Sequence, residues 1–170
     1  MNLLCLTLAV TPLRRLAGWH WLAPLRRLLG LFAFFYLVLH LITYLWLDQF
    51  FDWPAIGKDI LKRPFITVGM LVFVLLVPLA LTSTASAVRR LGMQRWRQLH
   101  RLIYPAALLA VLHYTWMVKL DVFWPAVYFG VVAALLGFRL MERLRPMRAP
   151  PGGTVGKAAP RRRIIPIQPR

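Results

Sequence analysis

Apolar residues along this chain gather in long uninterrupted blocks divided by short charged segments, neither alternating nor recurring on a single helical face. Four blocks, residues 28–47, 64–83, 99–118 and 122–141, each approach the roughly 20 residues that a helix needs to cross a bilayer. A fifth, residues 3–10, opens almost at Met1 and is too short to span. It lacks the basic lead and small-residue cleavage site of a signal peptide, so it reads as a partial span or as part of a longer chain. Pro64 and Pro125 stand at helix starts, where a missing N–H costs little. Pro78 and Pro105 fall inside blocks and are expected to kink them. The pattern predicts an all-α polytopic transmembrane helix bundle of about five helices over residues 1–143. A basic tail without helical periodicity, residues 144–170, is expected to be disordered.

Charge supplies the orientation. The chain has 22 Lys+Arg against 5 Asp+Glu, and 59% of it is hydrophobic. Such a basic excess could suggest nucleic acid, but here it is confined to segments between apolar blocks, where it reads as a topology signal and as contact with anionic membrane lipid. Arg14, Arg15, Arg26 and Arg27 precede the first full block, and Arg89, Arg90, Arg95 and Arg97 lie between the second and third, with Arg101 just inside the third. The tail adds further basic residues. The other two connections are nearly balanced: Asp48, Asp52, Lys58, Asp59, Lys62 and Arg63 in one, Lys119 and Asp121 in the other. Basic and balanced connections alternate strictly, which predicts a cytoplasmic C-terminus. The same alternation puts Met1 outside with no charge to hold it there, and a helix missing before residue 1 would remove the anomaly.

Candidate chemistry rests on histidine. Cys5 is the single cysteine, which excludes a disulfide framework, a CxxC redox pair and covalent haem attachment. There is no HExxH, no paired-carboxylate motif and no Gly-rich phosphate loop, and Ser83 and Ser86 in "LTSTASAVRR" have no histidine placed to activate them. The hydroxyls there read as helix-end capping and packing. His20, in "GWHW", reads as an interfacial residue. His40 and His113 differ. Each lies about 8–10 Å along its helix from the same membrane face. Two imidazoles at one depth on two helices suit the two axial positions of a haem iron; the competing reading is that each hydrogen-bonds to a neighbouring helix. His100 opens its block about 20 Å from His113, a separation that suits a second site near the inner face. On an ideal helix these two side chains stand about 140° apart. Arg26 and Arg27 lie at the level of His100 and are candidates for a propionate, quinone or flavin contact.

The segments "RRLLGLFAFFYLVLHLITY", "KDILKRPFITVGM", "LALTSTASAVRRLGMQRWRQLHRLIY" and "LHYTWMVK" resemble the haem-bearing membrane subunit of bacterial protein-methionine-sulfoxide reductase systems, within the ferric-reductase-like transmembrane family. The likeness runs in order through residues 1–143 and leaves the tail uncovered. It implies an inner-membrane haem b protein of six helices, the first of which has no counterpart here. It also implies that the haem ligands fall on His40, His100 and His113, and that FMN is carried. Electrons would come from the quinone pool or a cytosolic flavin reductase and pass to a periplasmic molybdopterin methionine sulfoxide reductase, MsrP. The subunit is then an electron conduit and not itself the catalytic subunit. Only about 29 residues follow the last block, too few for the nucleotide-binding dehydrogenase domain of eukaryotic relatives. Two further readings stay open: a stand-alone ferric or cupric reductase, and a non-redox scaffold or transporter that uses its histidines for protons. The balanced outer connections offer Asp48, Asp52, Trp53 and Asp121 to a docking partner, or serve as interfacial anchors.

Overall fold

The computed structural model describes residues 1–118 and 122–144. Among these residues there are eight α-helices and no strand: α1 (Asn2–Leu16), α2 (Ala23–Thr43), α3 (Trp53–Lys62), α4 (Pro64–Leu81), α5 (Ala85–Leu91), α6 (Met93–Leu99), α7 (Ile103–Met117) and α8 (Phe123–Leu144). Five of them, α1, α2, α4, α7 and α8, pack as the expected all-α bundle. The tail and the Lys119–Asp121 connection lie outside the described residues.

Among the described residues, three helical segments are long and apolar enough to cross a membrane: His20–Asp48, Pro64–Leu81 and Phe123–Glu142. The first is α2 lengthened by a 3-10 turn at His20–Leu22 and a π turn at Tyr44–Asp48. The short block 3–10 belongs to a longer helix, the 15-residue α1, with Pro12 inside it. The block 99–118 is less regular than expected. Pro105 lies in the first turn of α7, where the absent N–H has no intrahelical acceptor to lose, and His100–Leu102 form a 3-10 turn before it. Pro105 therefore marks a helix start and not a mid-span kink, whereas Pro78 is inside α4.

The balanced connection also departs from expectation, because it contains α3. Asp52 caps this helix by accepting from the Ala55 N–H at 3.0 Å. Asp59 accepts from Gln49 Nε2 at 2.9 Å and pairs with Arg63 at 3.3 Å. Scattered polar residues with a Pro at the second helical position conceal a capped amphipathic helix here. Phe50 and Phe51 adopt left-handed backbone (φ 45° and 59°) to turn the chain back into α3, a conformation costly for bulky side chains. In the basic connection, Thr82 and Ser83 donate to Pro78 O and Leu79 O at 2.6 Å, and Thr84 caps α5. The hydroxyls of "LTST" thus finish one helix and start the next, as the sequence suggests.

α7 is the central helix. Ala106 and Ala107 are completely buried on it, and their small side chains let neighbouring backbones approach. One side packs with Leu4, Cys5 and Leu8 of α1 and Val132 of α8; the other packs with Val72, Leu76 and Leu79 of α4. Phe34 of α2 stacks on Phe73 of α4 with centroids 6.0 Å apart. By contrast, no residue of α2 is buried, although the helix is apolar nearly all round. Phe32, Phe35 and Tyr36 on α2, with Leu71 and Val74 on α4, face outward. An apolar surface of this extent is compatible with lipid rather than water as its solvent.

Replacing Ala107 by leucine should overpack the α1–α7–α8 junction and cost about 1–3 kcal/mol. Phe35→Leu, on the outward face, should change stability little. Thermal unfolding of the detergent-solubilised protein measures both, and equal midpoints for the two variants would contradict the packing described.

Candidate functional site

α2 carries His40 near its C-terminal end and α7 carries His113 near its own C-terminal end. The two helices run in the same direction through the bundle, so matched depth in the sequence becomes proximity in space. The imidazole centroids lie 6.3 Å apart with ring planes at 71°. His113 is fixed from behind: its Nδ1 lies 2.7 Å from Phe65 O at the start of α4. A carbonyl can only accept, so Nδ1 carries the proton and Nε2 is left as the basic nitrogen.

A glycine missed in the sequence makes this placement possible. A Cβ built on Gly69 would lie 2.8 Å from His113 Cε1 and 2.9 Å from Nδ1, distances at which a methyl and a packed ring cannot coexist. Gly69 is thus the floor on which the imidazole lies. Its signal in "FITVGML" is a lone glycine inside an apolar helix, where it weakens the helix and needs a packing reason.

The pair suits haem iron. An imidazole nitrogen binds a metal at about 2.0 Å, and the ring centre lies about 1.2 Å behind it, so two imidazoles on one iron have centroids roughly 6.4 Å apart. The observed separation matches. Among the described residues, no group of three or more His, Cys, Asp or Glu side chains is placed to hold a metal ion. Two imidazoles are too few for a bare ion site of the usual kind, but they suit an iron that already has four equatorial nitrogens.

His100 lies elsewhere, in the 3-10 turn before α7. Its Nδ1 is 3.1 Å from Trp96 O and its ring stacks on the Trp96 indole with centroids 4.0 Å apart. Trp96 is anchored in turn, donating from Nε1 to Thr82 O at 2.9 Å. His100 therefore shares with His113 an Nδ1 held by a backbone carbonyl, but it has an indole for a neighbour where His113 has a second imidazole. Arg26 and Arg27, paired in the sequence, part company in the structure. Arg26 lines a cavity with Thr11, Arg15, Tyr104, Arg139 and Glu142, and Arg27 does not. Arg139 is the other residue that escaped notice in the sequence. It sits within the apolar block of α8, is buried, and donates to Leu8 O at 2.8 Å and Thr11 Oγ1 at 3.1 Å. A basic residue inside a membrane block is itself a signal. His20 is exposed in its 3-10 turn beside Trp19 and Trp21, consistent with an interfacial place. Of the residues offered for docking, Asp52 is engaged as a helix cap, Asp48 and Trp53 are exposed, and Asp121 lies outside the described residues.

Residues 1–111 match the family described as "Ferric reductase like transmembrane component". The chain is 58% identical over 149 residues to the protein-methionine-sulfoxide reductase heme-binding subunit MsrQ of Azospira oryzae, covering 85% of this chain and 63% of that protein. It is 58% identical over 139 residues to the MsrQ of Herminiimonas arsenicoxydans, covering 81% and 64%. With the MsrQ of Xanthomonas campestris pv. campestris strain 8004 it shares 52% identity over 160 residues, 91% of this chain and 73% of that one. The chain spans a little under two thirds of the length of the first two relatives. No solved structure matches it. A bundle of apolar helices that brings two imidazoles to one level, in a sequence this close to several MsrQ subunits, belongs to the ferric-reductase-like transmembrane family, among its MsrQ members.

Proposed function

We propose that this chain is the haem b electron-transfer subunit of a methionine sulfoxide reductase system in the bacterial inner membrane, in which His40 and His113 would together hold one haem iron. The observation that carries the reading is the 6.3 Å separation of the two rings, with His113 Nδ1 held by Phe65 O. Bound there, the haem would supply a one-electron carrier. The protein's own part is to position two imidazoles: the Phe65 carbonyl sets the tautomer of His113 and Gly69 gives its ring room. His100 has the same Nδ1–carbonyl posture and is the candidate ligand for a second haem toward the other end of the bundle.

Direction follows from charge. Arg89, Arg90, Arg95, Arg97 and Arg101 are exposed at the end of the bundle that carries His100 and Arg26, and the positive-inside rule makes that end cytoplasmic. Electrons then enter there, from quinone or from a cytosolic flavin reductase with FMN as carrier, and leave beside His40 and His113 to MsrP, the periplasmic molybdopterin subunit. That subunit reduces oxidised methionines in periplasmic proteins.

His40→Ala and His113→Ala should each abolish the low-spin signal of the outer haem, and His100→Ala should spare it. Gly69→Ala should displace the His113 ring and shift that signal without removing either ligand. Visible spectra of the purified variants test this, and a wild-type spectrum from His40→Ala would refute the ligation.

Reporter fusions after Asp52 and Asp121 should read periplasmic, and those after Arg90 and Arg145 cytoplasmic. In reconstituted membranes, reduced quinone, or flavin reductase with NADH, should reduce the haem, and MsrP with a methionine sulfoxide substrate should reoxidise it. Reoxidation by a ferric chelate but not by MsrP would favour a metalloreductase.

A further inference from the structure

The cavity that Arg26 shares with Arg139 has a volume of about 200 Å³ and lies where α1 and α8 end and α2 and α7 begin. Its lining carries three guanidinium groups, from Arg15, Arg26 and Arg139, against one carboxylate, Glu142. Arg15 is paired with Glu142. Among the described residues, Arg26 makes no ion pair. Three positive charges less one negative leave the cavity wall with two in excess.

Arg139 shows that the excess is more than a solvated surface. It is 9% exposed, and its guanidinium carbon lies 5.5 Å from the centroid of the Tyr104 ring. One terminal nitrogen serves Leu8 O and Thr11 Oγ1. Its Nε is buried and has no hydrogen-bond partner among the described residues. A buried N–H on a charged group is costly to leave unmet; Arg15 and Arg26, by contrast, are exposed, so it is at Arg139 that an anion entering the cavity relieves an unmet charge. A structural arginine that merely tied α8 to α1 would need neither the unmatched Arg26 nor the open space beside it.

We propose that this cavity binds a phosphate group carrying about two negative charges, as inorganic phosphate or a phosphate monoester does near pH 7. The matching charge favours this chemistry over a single carboxylate, and planar guanidinium groups suit phosphate oxygens. Arg26 and Arg139 supply the free donors and Glu142 limits the net charge. The site lies at the end of the bundle away from the His40–His113 pair, so its occupancy is measurable without reference to haem. A phosphate group could arrive free in solution, on a flavin such as riboflavin 5′-phosphate, or on an anionic lipid such as phosphatidic acid.

The test uses the full chain in nanodiscs of neutral phosphatidylcholine. Inorganic phosphate should raise the thermal unfolding midpoint, and sodium chloride at matched ionic strength should not. Arg26→Gln should weaken phosphate binding about tenfold, and Glu142→Gln should tighten it. Riboflavin 5′-phosphate displacing phosphate where riboflavin does not would identify a flavin source. Loss of the phosphate response in nanodiscs containing phosphatidic acid would identify a lipid source, and a response to inorganic phosphate alone a free anion. An unaltered midpoint with every phosphate source overturns the proposal, as does an Arg26→Gln variant that binds like the native chain or a Glu142→Gln variant that binds more weakly.

Discussion

At Gly69 the α4 backbone approaches α7 so closely that a single methyl group would collide with the His113 ring. This contact sets the position of one imidazole, and most of the arrangement follows from it. α7 can come so near only because Ala106 and Ala107 present almost no side chain to its neighbours. α4 begins at Pro64, which places the Phe65 carbonyl in its first turn within reach of His113 Nδ1, from which it accepts. α2 then needs only to pack on α4, through Phe34 and Phe73, to bring His40 opposite. Small residues, an early proline and one glycine therefore build the candidate haem site together with the histidines.

The two ends of the bundle are chemically unlike. At the end with Trp46, Phe50, Phe51, Trp53, Trp116 and Trp124, large apolar side chains are exposed and the helix α3 is held by Asp52 and Asp59. At the other end exposed arginines crowd α5 and α6, and four helix termini enclose the cavity of Arg15, Arg26 and Arg139. Aromatic rings at an interface and arginines at one face fit a membrane with an anionic inner surface. The same asymmetry supplies the proposed direction of electron flow: a positively charged entrance, and an exit close to the surface where a partner would dock.

Much of this was legible in the sequence. Continuous apolar blocks show the spans because lipid accepts apolar side chains on every face of a helix. Equal distances from one membrane face bring His40 and His113 together because α2 and α7 run the same way. Three features were obscured. α3 is hidden because its charged residues read as a connection, and its cap is visible only once Asp52 is seen to accept from Ala55. The start of α7 depends on Pro105, whose effect differs between a first turn and a helix interior, and the apolar block 99–118 contains no boundary to distinguish them. Gly69 and Arg139 depend on contacts with residues more than forty and more than a hundred positions away, respectively, which no local pattern encodes.

The central claim is that one iron sits between His40 and His113, and electron paramagnetic resonance of the purified oxidised protein measures it most directly. The account predicts a low-spin ferric signal of bis-imidazole type, present in the native chain and lost when either histidine is replaced by alanine. A native protein that binds haem yet shows only a high-spin signal, or that binds none when haem is supplied during expression, would contradict it.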